Sequence, residues 1–191
     1  MNKKIIAVCA ALVLGLVGCS GSAGNGVAAS YATPQGDFMA TVDTINVSST
    51  SLNNGKWLKT VTDEGDNLSP ALSWDAVEGA TTYALYMIDI TAGNWIHLKY
   101  MVEDTSLELG AIPAKANDVG YIGPYPGPGM EHTYVVYVVA LKDKDVSRFT
   151  GILDSSNSKG INDIMKILDE TASGETGNVI AYGEIAGTYT K

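Results

Sequence analysis

The run Tyr134-Val135-Val136-Tyr137-Val138-Val139-Ala140-Leu141 is apolar on both faces of an extended chain and holds no glycine, proline or charge. A strand with no polar face has to be covered on both sides, so this segment marks a central, buried strand. Around it the chain repeats short apolar or alternating runs at 38–47, 72–74, 82–90, 96–102 and 179–189. They are rich in Val, Ile, Tyr and Thr and separated by Gly, Pro, Asn and Asp, which is strand and turn vocabulary. One helix is expected where Ile161, Ile164, Met165, Ile167 and Leu168 fall at helical spacing, with an apolar stripe for the sheet. Residues 147–160 read equally well as a loop or a short helix, and there is no internal repeat.

The first residues stand apart from the fold. Lys3-Lys4, an apolar run over 5–17 and then Gly18-Cys19 follow the order of an export signal. At 13 residues the run is shorter than the roughly 20 that a permanent transmembrane helix needs. Leu16-Val17-Gly18-Cys19 also fits the bacterial lipobox, after which Cys19 would carry the lipid. The alternative is an ordinary secretory peptide cut near Ala23 or Ala29. The expected organisation is therefore a lipoprotein signal over 1–18, a lipidated Cys19 with a Ser/Gly/Ala-rich flexible linker over 19–36, and one domain over 37–191. Such a protein would be exported and held at the cell envelope, at the outer membrane in a Gram-negative host.

Loss of residues 1–18 leaves 173 of the 191, enough for one full core. It also removes Cys9 and leaves an acylated Cys19 as the only cysteine, so no disulfide, thiol nucleophile or cysteine-based zinc site is expected. The formal charge of −9 becomes −11 without Lys3 and Lys4, which argues against nucleic acid and against electrostatic docking on anionic lipid.

The chain has only two histidines. His97 closes the segment Asp89 to His97, and His132 closes the loop that starts at Gly123 and runs into Tyr134. A carboxylate, two imidazoles, a phenol and a Gly/Pro loop with backbone N–H groups are the components of a pocket for a small anion. An opposite charge near an imidazole favours its protonated form. Asp89 is thus expected to hold a cationic end built from both histidines, with affinity for a phosphorylated ligand rising as the pH falls toward 6.

Five segments, in order, resemble the phosphatidylethanolamine-binding protein family, in particular its bacterial Raf-kinase-inhibitor-like branch. Gly65 to Trp74 is similar to the family's DGxNxSPPLSW, and Tyr83 to Asp89 to the strand that leads into DPDxP. Trp95 with His97 is similar to WxHW, Gly123 to Tyr134 to GPxPPxGxHRY, and Gly183 to Tyr189 to the terminal strand. The resemblance implies an all-β fold, a β-sandwich of two antiparallel sheets with a few short peripheral helices. It also implies a ligand site at one end formed by Asp89, His97, Pro126, His132 and Tyr134, with N–H donors from the backbone around Gly123–Tyr125. The departures are Ile90 and Thr91 within the first motif, and Gly127 and Thr133 within the loop.

The leading expectation is a non-enzymatic domain, without cofactor or metal, that binds a small anionic or phosphorylated compound. A protein partner is the second expectation, since the resemblance extends to inhibitors of kinases and serine proteases. The third is a hydrolase or a two-histidine, one-carboxylate metalloenzyme. There is no Gly-x-Ser-x-Gly elbow to support a hydrolase. The plainer alternatives are a turn role for Asp89, a core role for Tyr134, Trp74 and Trp95, a rigid turn at Gly123 to Gly129, and a solvated acidic face or weak Ca²⁺ site at Asp63, Glu64 and Asp66.

Overall fold

A computed structural model describes residues 37–117, 119–146 and 160–191. The expected signal over 1–18, Cys19, the linker to residue 36 and nearly all of the undecided stretch 147–160 lie outside the described residues. In chain order the strands are β1 (Asp43–Thr44), β2 (Val47–Ser48), β3 (Leu52–Asn53), β4 (Lys56–Trp57), β5 (Leu72–Trp74), β6 (Thr82–Asp89), β7 (Trp95–Val102), β8 (Ser106–Leu107), β9 (Gly120–Tyr121), β10 (Glu131–Leu141) and β11 (Val179–Thr190), with the helix α1 (Ile161–Leu168) between the last two.

The large sheet has the order β3-β4-β11-β10-β6-β7-β9, with β1 added against β11, and a small sheet has the order β2-β5-β8. The long strands pair antiparallel, whereas β1 and β4 run parallel to β11, so the large sheet is mixed. As its two-sided apolar pattern requires, β10 lies between β11 and β6 and is buried over Tyr134–Leu141.

The two faces of the large sheet carry separate cores. On one face Tyr86, Ile88, Val135, Tyr137 and Val139 pack with Ile161, Ile164, Met165 and Leu168 of α1. These helix positions recur at three- and four-residue spacing and form one stripe. On the other face Leu85, Met87, Leu98, Val136 and Val138 pack against Leu72 and Trp74 of the small sheet. Alternate residues of one strand therefore serve different cores.

The mixed large sheet departs from the expected pair of antiparallel sheets, and two further parts differ from the sequence reading. The run over 38–47 is not one strand, because Asn162 Oδ1 of α1 accepts the N–H groups of Phe38 and Met39, both at 3.2 Å. This ties the chain to the helix as a 3₁₀ turn (Met39–Thr41) before it reaches the sheet at β1. The hairpin β3–β4 was not anticipated, yet its signal is local. Asn54-Gly55 form a two-residue turn with both φ positive, 50° and 75°, the conformation that the Asn-Gly pair favours.

Candidate functional site

Four of the five expected site residues, Asp89, His97, His132 and Tyr134, meet at one end of the large sheet. Asp89 ends β6, and its register partners are Tyr134 on β10 and Trp95 on β7. Residues that pair across strands share a face, so Asp89, Tyr134 and Trp95 project together, and His132, two residues before Tyr134, joins them. His97 reaches this face through an irregularity. Met87 pairs with Leu98 and Ile88 with Ile96, which leaves His97 as the extra residue of a β-bulge. A bulge re-aims a side chain. Here the His97 ring lies edge-on to Trp95 at 4.4 Å and to Tyr134 at 5.1 Å between centroids.

Asp89 has two jobs. Its Oδ1 accepts the N–H groups of Thr91 and Ala92, both at 2.9 Å, closing the β6–β7 turn, while its Oδ2 meets His132 Nδ1 at 2.7 Å. The turn role of this residue is thus seen directly, and the same carboxylate also reaches His132. With the carboxylate accepting at Oδ2, His132 Nδ1 carries the proton, and Nε2 is the remaining ring nitrogen. Two positions that depart from the family pattern also meet: Thr133 N–H donates to Thr91 Oγ1 at 2.9 Å.

His97 does not form the second half of a cationic end. Its Nδ1–H donates to the Ile122 carbonyl at 2.9 Å, and the residue is buried. Burial pulls its pKa from 6.5 down to about 4, against the raising effects of the Ile122 bond and the Asp89 charge and with a further lowering by Lys115. At neutral pH this imidazole is uncharged, because burial disfavours the charged form more than the neighbouring carboxylate favours it.

Tyr134 is fully buried, with its hydroxyl beside the Asp89 carboxylate and the Tyr125 N–H. Burial raises its pKa first and the nearby Asp89 charge raises it further, while the Tyr125 N–H acts in the opposite direction. The phenol thus stays protonated and is a donor. Its backbone carbonyl accepts from Trp57 Nε1 at 3.2 Å, so Tyr134 has a core role as well.

The Gly/Pro loop supplies fewer donors than expected. The Gly123 N–H is spent on Asn67 Oδ1 at 2.7 Å, and Pro124 and Pro126 have no N–H. Pro126 is buried, and Tyr125 is more than half exposed. Gly127 to Met130 closes on itself, with Met130 N–H donating to the Gly127 carbonyl at 2.9 Å and Gly129 at φ 71°. Pro then Gly in the two central places suits a type II turn, so the position that lost its proline is rigid for another reason.

Asn67 and Lys115 belong to this neighbourhood and were not singled out as site residues from sequence. Asn67 holds a positive φ of 53°, which Asn tolerates better than most residues, and it pins the loop. A Cβ added to Gly123 would lie 2.5 Å from the Val61 carbonyl oxygen and 2.6 Å from Asp63 N, both backbone atoms. Gly123→Ala is therefore expected to cost about 2 kcal/mol. A thermal melt indistinguishable from the wild type would show that the loop yields without cost.

A model of the phosphatidylethanolamine-binding protein family matches residues 48–190. The chain belongs to this family. Among solved structures, it is similar to a putative phosphatidylethanolamine-binding protein homologue of Chlamydia trachomatis, at 24% identity and a TM-score of 0.54, with 78% of this chain and 99% of that chain covered. E. coli YbcL, described as a member of the mammalian PEBP family, matches at 24% identity and a TM-score of 0.54, covering 77% of this chain and 98% of its own. No curated protein matches the sequence. At this identity the two structures establish the phosphatidylethanolamine-binding protein fold, and the chemistry of the site rests on the geometry above.

That geometry bears on the two enzymatic expectations. Asp89 has committed Oδ1 to the turn and Oδ2 to His132, so it is not placed as a third metal ligand beside two imidazoles. Among the described residues no group of three or more His, Cys, Asp or Glu is placed to hold a metal ion. The Thr91 hydroxyl accepts from the backbone, and nothing shows it as a nucleophile beside either histidine.

Proposed function

We propose that this chain is a non-enzymatic, lipid-anchored envelope protein of the bacterial Raf-kinase-inhibitor-like branch, and that the Asp89, His97, Pro126, His132 and Tyr134 end of its sheet binds a small anionic or phosphorylated ligand. The observation that carries the reading is the meeting of the Tyr134 hydroxyl, a protonated donor, with the Asp89 carboxylate and two imidazoles whose Nδ1 atoms are already tied.

The neutral state of His97 decides which anion fits. A phosphate monoanion or monoester brings its own P–OH, which can donate to an imidazole Nε2 while its other oxygens accept from donors. A fully deprotonated dianion has no hydrogen to give to His97. The anchor is read from Leu16 to Cys19, and the attachment would place the domain at a membrane surface beyond a short spacer.

Isothermal titration with inorganic phosphate and with phosphorylethanolamine tests the binding reading. Saturable heat at one site, lost in His132→Ala with the fold retained, is the expected result. No heat from either compound at 10 millimolar, on the order of the weakest binding that such a pocket would provide, would overturn it.

A further inference from the structure

An anion site in a chain of formal charge −9 needs a local source of positive charge. The two histidines do not supply a fixed one, since His97 is neutral at ordinary pH and the Nδ1 of His132 faces the Asp89 carboxylate. Other carboxylates stand close by: Glu64 takes the Tyr189 hydroxyl at 2.9 Å, and Tyr189 is the register partner of His132.

Lys115 is brought to this end by a turn that closes on the edge of the sheet. Its backbone N–H donates to the Tyr121 carbonyl at 2.8 Å, and Ala116 and Val119 exchange hydrogen bonds of 2.8 and 3.0 Å around Asn117. From there its ammonium reaches back over the sheet edge. Nζ donates to the Ile96 carbonyl at 3.0 Å, next to the bulged His97, and stands 4.7 Å from the centre of the Trp95 ring. Trp95 in turn lies 4.4 Å from His97, so the ammonium is within about 9 Å of the imidazole. A carbonyl dipole and an aromatic face both attract a cation and hold a flexible stem in one place.

We propose that Lys115 is the fixed positive charge of this site, an anchoring residue whose ammonium, held against Trp95 beside His97, draws in and retains the anionic end of the ligand. The inference rests on the reading that this end of the sheet takes an anion, and it assigns the charge to a lysine outside the five expected site residues. It makes Trp95 the residue that positions the cation.

The test compares wild type, Lys115→Gln, Lys115→Arg and Lys144→Gln, with inorganic phosphate as the probe. Lys144 pairs with Glu103 on an exposed surface, so its replacement removes the same charge elsewhere and controls for net charge. At low salt, phosphate affinity is expected to fall about fivefold in Lys115→Gln, to stay near the wild type in Lys115→Arg and Lys144→Gln, and to show a weaker salt dependence in Lys115→Gln. A second readout needs no ligand: the NMR titration midpoint of His97 moves upward in Lys115→Gln, because a neighbouring cation has been removed. Equal phosphate affinity in wild type and Lys115→Gln overturns the role of Lys115 and leaves the anion-site reading standing. A wild type that binds no phosphate removes both. An unmoved His97 midpoint contradicts the placement of the ammonium whatever the affinities show.

Discussion

Asp89→Ala is expected to lower stability by about 3 kcal/mol and to abolish phosphate binding. The carboxylate is buried and accepts hydrogen bonds from the turn that follows β6 and from His132. Removing one partner of a buried pair leaves the other poorly solvated, which costs more than the pair contributes by itself. The Thr91 and Ala92 N–H groups belong to exposed residues and recover water, so most of the loss falls on His132. Without the carboxylate, nothing orients that ring or stabilises its proton. Asp89→Asn separates the two jobs, because its amide oxygen can close the turn while its NH₂ faces a ring nitrogen that previously donated. Urea denaturation of both variants checks this. A loss below about 1 kcal/mol in Asp89→Ala would place the carboxylate in water, contrary to its burial.

The second large effect is a dependence of stability on pH that resides in one residue. The pKa of His97 lies at 6.5 when unfolded and about 4 when folded, so the unfolded chain binds the additional proton between these values. Stability from His97 is fully present above pH 6.5 and is lost as the pH falls toward 4. The difference of 6.5 and about 4 corresponds to about 3 kcal/mol. Carboxylates also titrate at the acid end, so the informative quantity is the gap between wild type and His97→Gln, whose side chain cannot charge. Urea unfolding at pH 7.5 and pH 4.5 is expected to show a much steeper acid loss in the wild type. Parallel losses in the two proteins would mean that His97 is solvated in the folded state.

The same burial alters the expected response of binding. A site with two titrating imidazoles would bind phosphorylated ligands more tightly toward pH 6. With His97 neutral throughout that range, an increase follows from the ligand's own protonation. This is why the proton on the phosphate matters for recognition.

Much of the fold was legible because its determinants are local. Alternation and two-sided apolarity along 134–141 placed the central strand, and the spacing of Ile161, Ile164, Met165 and Leu168 placed the helix and its buried stripe. The Asn54-Gly55 turn has an equally local determinant, a residue pair that favours positive φ at both places. The segment near Phe38 was read as strand because its pattern is apolar, and the structure differs there because Asn162, far along the chain, captures its backbone N–H groups.

By itself, the sequence determined which chemical groups the proposed site draws on and on which segments they stand: Asp89, His97, Pro126, His132 and Tyr134, each in an ordered motif. Tertiary structure decided what these groups can do. The bulge between β6 and β7 turns His97 onto the face of Tyr134, and strand register brings Asp89 to the same place. Burial then removes the charge from His97, Asn67 consumes the Gly123 N–H, and Lys115 arrives from a turn of its own. The physical reason is that residue type sets the available proton donors and acceptors, whereas charge state and free valence depend on desolvation and on partners distant in the chain.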